Sequence, residues 1–153
     1  MSNANVTWKY VHELKDDSAA DMLEIDYCFR LPKSLKACVR EHNAGMPVPS
    51  KIDSPFGNRY VFGGLLSFNA GDADSVYDDI GLFNNEDGTG LKLFPFGLDP
   101  FGNFFCVKKD GSVVFWNHED GAEDLVSASF EEFISSTVVT LIGVIMPLFL
   151  AFL

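Results

Sequence analysis

With 153 residues and 16.9 kDa, the chain has the size of one ordinary domain, large enough to bury a core without disulfide or metal staples. A 47% hydrophobic and 14% aromatic composition excludes a disordered chain. Eleven basic residues against 22 acidic ones give a net charge of -11, which repels phosphate and argues against nucleic-acid binding.

In chain order, residues 6–14 carry Trp8, Val11 and Leu14 at helical spacing, which predicts a short amphipathic helix. Ser18 with Asp21 three positions on reads as a helix start, with Met22, Ile25 and Phe29 on the apolar side. Pro32 suits a first helical position, and Leu35, Cys38 and Val39 form the stripe of a second helix. Asn43 and Gly45 are expected to supply its left-handed stop, and residues 46–50 a loop. From Arg59 the period changes, with strands expected at 60–62 and 65–68 around Gly63 and Gly64.

Residues 72–79 read as a short acidic surface helix and 86–90 as a turn. Further strands are expected at 91–96, 103–108 and 112–117, the last two joined through Asp110 and Gly111 as a hairpin. Ser129 then caps a last helix. Helices, a strand meander and a helix predict an α+β fold with an antiparallel sheet.

Phe94, Phe96, Phe101, Phe104, Phe105 and Trp116 are expected to pack as core, with Gly97 and Gly102 turning the chain at positive φ. Cys28, Cys38 and Cys106 are widely spaced and odd in number, without a C-x-x-C, which offers no zinc or redox motif, and the apolar surroundings of Cys28 and Cys38 read as those of reduced core thiols. The first fourteen residues lack a basic stretch followed by an apolar one, so no secretory signal is expected and the cytoplasm is the expected compartment.

All 33 charges lie at or before Glu132, so the mean hydropathy of +0.10 comes from an uncharged end. The expected division is a domain over 1–136 and an apolar tail over 137–153. Three readings stay open for that tail: a buried helix or strand, a membrane anchor, or an atypical end that packs poorly or pairs with another chain. It carries Pro147 and has no flanking Lys or Arg.

Few residues stand in patterns that suggest chemistry. His118, Glu119 and Asp120 are adjacent on a strand end and point to different sides, which disfavours one shared ion. The aspartates of 72–79 lack the glycine and terminal glutamate of a calcium loop. His12 and His42 read as surface or capping residues at helix ends. No hydrolase, zinc-protease or phosphate-loop motif occurs, so neither catalytic residues nor a metal or other cofactor are expected.

Binding remains. Between Asp72 and Asp124 stand twelve acidic residues against Lys92, Lys108 and Lys109. Asp72, Asp74, Asp78, Asp79, Glu119, Asp120, Glu123 and Asp124 are the candidate contacts for a basic partner.

Several segments in sequence carry a family resemblance: LPKSL (31–35) leading to VREHNAG (39–45), FGGLLSFN (62–69), LFPFGLDPFGN (93–103), VVFWNHE (113–119) and SFEEF (129–133). Their order over about 18–136 resembles the SUKH superfamily, the group of the yeast cell-wall-assembly regulator and many bacterial immunity proteins. Ala44 stands where the family usually has glycine, and the apolar tail lies outside the family pattern. The resemblance implies a SUKH-like α+β fold and a non-enzymatic protein that binds and neutralises a cognate polymorphic toxin, such as a nuclease with a basic cleft. The alternative it implies is an interaction module for a cell-wall or signalling regulator.

Overall fold

The structure is a computed structural model that describes residues 6–137. The tail reading, apart from Thr137, lies outside the described residues. Within them, no helix is long and apolar enough to cross a membrane.

The N-terminal segment is a strand, β1 (Thr7–Lys9), and not the expected helix. It pairs antiparallel with β2 (Met46–Val48), where a loop was expected. The strand lays the Trp8 ring on His42 with centroids 4.6 Å apart. Helix α1 (Ala19–Tyr27) begins where expected, but the Ser18 hydroxyl donates to Asp16 instead of capping the helix. The buried side of α1 is Ala19, Ala20 and Leu23, while Ile25 is 68% exposed and Met22 is also open. Helix α2 (Lys33–His42) buries Leu35 and Val39. Lys36 ties it to α1 through ion pairs with Asp21 at 2.7 Å and with Glu24.

The stop after α2 differs from expectation. Asn43 is extended, at φ -47° and ψ 130°, and Ala44 takes the left-handed turn at φ 63°. Gly45 is required for space, since a Cβ there would sit 2.7 Å from the His42 carbonyl oxygen.

A small hairpin of β3 (Lys51–Asp53) and β4 (Arg59–Val61) follows. The main sheet is a five-stranded antiparallel meander: β5 (Gly64–Leu65), β6 (Phe94–Leu98), β7 (Phe104–Val107), β8 (Val113–Trp116) and β9 (Glu123–Ser127). The expected strands are present with shifted ends, and β9 is an addition. The 72–79 helix shrinks to α3 (Val76–Asp79), which runs into a 3-10 turn over Ile80–Phe83. Residues 130–137 form the helical segment α4. Ser129 caps it as expected, accepting from the Glu132 amide at 3.1 Å.

Both sides of the sheet are covered. On one, Phe105 meets Phe62, Phe96 and Phe133, with Phe130 beside them in edge-on and tilted contacts. Such pairs add about 0.5–1.5 kcal/mol each beyond their buried area. On the other, Phe104 and Trp116 close over Phe83. Phe101 is the exception to the expected aromatic core, at 76% exposure on the β6–β7 loop. Gly102 turns at φ 87° as expected. Gly97 does not have positive φ; its role is space, because a Cβ would collide with the Phe62 ring and stand 3.0 Å from the Gly64 carbonyl oxygen.

Candidate partner-binding site

The eight candidate acidic residues fall into two groups on different elements. Asp72 and Asp74 lie in the loop after edge strand β5, and Asp78 and Asp79 lie on α3. Glu119 and Asp120 lie in the β8–β9 turn, and Glu123 and Asp124 lie on β9 itself. Strands β5 and β9 are opposite edges of the sheet, and four strand spacings separate them by about 19 Å. The eight candidates therefore come from the loop and helix that follow one edge strand and from the other edge strand with its turn.

In the first group it is Asp72 that is committed to the fold. Asp72 has a side chain only 17% exposed. It accepts from the Ser67 hydroxyl at 2.7 Å and from the Asn69 amide at 3.1 Å, with His12 Nδ1 at 3.5 Å. These donors hold its carboxyl below the usual carboxylate range. The same network continues to buried Asn43, whose amide donates to the His12 carbonyl and to Ser67, and whose oxygen accepts from the Phe68 amide at 2.7 Å. Asn43 thus fastens the N-terminal segment, the end of α2 and the segment after β5. Asp79 is half-buried, and that burial, with Asp78 and Asp74 nearby, pushes its carboxyl up. Asp74 and Asp78 are exposed, Asp74 in a left-handed turn at φ 52°.

The second group is more open. Glu119, Asp120 and Asp124 are exposed. The turn is fixed by local side-chain bonds: Asn117 accepts from the Glu119 amide, Asp120 from the Ala122 amide, and Asn103 from the His118 amide. Glu123 is half-buried and pairs with Lys92 at 2.9 Å. It borders a concavity of about 630 Å³ lined also by Trp116, Leu82, Glu86 and Asp87. The sequence reading missed this concavity and its strand, because the Glu-Asp start of β9 reads as a solvated turn.

The cysteines differ from one another. Cys28 is exposed in a left-handed position after α1, contrary to the core expectation. Burial pushes the Cys38 thiol up to about 12, with Glu41 adding to the effect, and raises Cys106 as well. Such thiols are poor nucleophiles near neutral pH. His42 is at the end of α2 as expected, whereas His12 lies in the loop after β1. Among the described residues, no three His, Cys, Asp or Glu side chains are placed to share a metal ion.

Helices packed against an antiparallel meander, with acidic loops at both of its edges, define an α+β domain of the SUKH kind. The chain belongs to the SMI1 / KNR4 family (SUKH-1), whose family model matches residues 16–136. No curated protein and no solved structure gives a significant match.

Proposed function

We propose that the protein is an immunity protein that binds a cognate polymorphic toxin directly and blocks it. The observation that carries this reading is the family match over 16–136 on a chain with a net charge of -11. A nuclease toxin needs a cationic cleft to hold phosphate, and an acidic protein is suited to cover that cleft and to associate quickly with it. Exposed Glu119, Asp120 and Asp124 are the contacts this reading favours, with Asp74 and Asp78 as a second set. It has the protein act in the cytoplasm and without catalysis.

The test is the neighbouring gene. The reading expects an upstream reading frame ending in a basic domain that is toxic when expressed alone and harmless when co-expressed with this chain. Absence of such a neighbour, or unrelieved toxicity, would favour the alternative of an interaction module for a cell-wall or signalling regulator.

A further inference from the structure

The two outer strands of the main sheet are treated differently. The outer side of β5 is engaged, with the Leu65 amide donating to the Gly45 carbonyl at 2.9 Å. Along β9, among the described residues, no backbone group from outside the sheet bonds to the strand. The Ser54 hydroxyl caps one carbonyl, that of Val126.

The register fixes which groups remain. The Asn117 amide donates to the Ala122 carbonyl at 2.9 Å, which makes those residues a hydrogen-bonded pair. Antiparallel pairs alternate, so Trp116–Glu123 is not directly bonded, Phe115–Asp124 is, and Val114–Leu125 is not. The N–H and C=O groups of Glu123 and Leu125 therefore face the open side. Side chains alternate as well: Glu123 and Leu125 share the side of Trp116 and Val114, and Asp124 lies on the side of Phe115. Leu125 is 43% exposed.

We infer that β9 is an acceptor edge: an extended, basic segment of the partner adds to it as a further strand and places a Lys or Arg side chain in the concavity bounded by Glu123, Glu86 and Asp87, with its stem on Trp116. Strand addition supplies affinity through the backbone and selectivity through alternate side chains. The charge selects the occupant. Glu86, Asp87, Glu123 and Asp124 surround the edge, with Lys92 the lysine lining the concavity and already paired with Glu123. A second copy of this chain would bring a further Glu123 and Asp124 to the same edge, and the added negative charge opposes self-pairing. The inference rests on the reading above that the partner is a basic protein.

The experiment titrates the isotopically labelled full chain with a ten-residue peptide of alternating Lys and Val, and follows amide shifts. The expected result is shifts centred on Glu123, Leu125 and the Trp116 indole, with affinity falling as salt rises. Leu125→Pro removes an outward-facing donor while leaving the sheet's own ladder intact, and is expected to weaken binding at least tenfold. Because proline could disturb the strand, E86K/D124K serves as the second variant, also expected to lose tenfold or more. Shifts confined to 72–79, no binding, or unchanged affinity in both folded variants would overturn the inference. The two ideas fail separately. Undiminished neutralisation of the neighbouring toxin by both variants removes the edge and leaves the immunity reading; peptide binding at β9 without toxin binding does the reverse.

Discussion

The two acidic segments look alike as strings of residues, and the fold sets Asp72 of the first apart from the exposed carboxylates of the second. In 67–79, the carboxylate of Asp72 is a structural acceptor, held by Ser67 and Asn69 within a network that centres on buried Asn43. In 119–124, most carboxylates face solvent beside a strand whose outer edge is open among the described residues. Local acidity therefore does not identify a contact surface. What sets Asp72 apart from exposed Asp74, Asp78, Glu119 and Asp124 is that neighbouring donors hold its oxygens.

Substitutions sharpen this contrast, beginning with the scaffold that both segments share. Phe105→Ala, beneath α4 at the centre of the sheet, should cost about 3–5 kcal/mol in urea unfolding. Gly97→Ala should follow at about 1–3 kcal/mol, since Phe62 would have to move. A Gly97→Ala protein as stable as the wild type would contradict the close packing there. In the first acidic segment, Asn43→Ala strands the Phe68 amide and should cost about 1–3 kcal/mol, read from the same curves.

Asp72→Asn changes the pH dependence instead. The folded pKa of Asp72 is depressed, so its contribution is present above the unfolded value of about 3.9 and is lost as pH falls through the lower folded value. The wild type should lose stability across that acid window, and the variant should show a shallower slope there. Equal slopes would mean that the network does not favour the charged form.

How far these differences could be read in advance depends on what each element needed. The β7–β8 hairpin was legible because Asp110 and Gly111 interrupt two apolar runs, and α2 because its stripe has one register. The N-terminal strand was not, since Trp8, Val11 and Leu14 suit a helix equally well until β2 is known to lie beside them. Nor was the role of Asn43, whose partners lie 24, 25 and 31 residues away. All eight acidic candidates were found by charge alone. Their division into two groups depends on strand order, and the acceptor edge on the pairing of β8 with β9, neither of which a linear count of charges contains.

A smaller effect is expected at Ala44. Its left-handed backbone is strained for alanine, so Ala44→Gly should stabilise the chain by about 0.5–1 kcal/mol, the relief of strain exceeding the added flexibility of the unfolded state. A lower urea midpoint would contradict that assignment.

The contrast between the segments is tested most directly by one paired measurement of association rate with the neighbouring toxin domain, at low salt, for Glu119→Gln/Asp120→Asn/Asp124→Asn and for Asp72→Asn. The triple variant should associate at least tenfold more slowly while its unfolding free energy stays within about 0.5 kcal/mol of wild type. Asp72→Asn should associate at the wild-type rate and differ in its acid unfolding. A triple variant that associates at full speed, beside an Asp72→Asn protein that does not, would contradict the account.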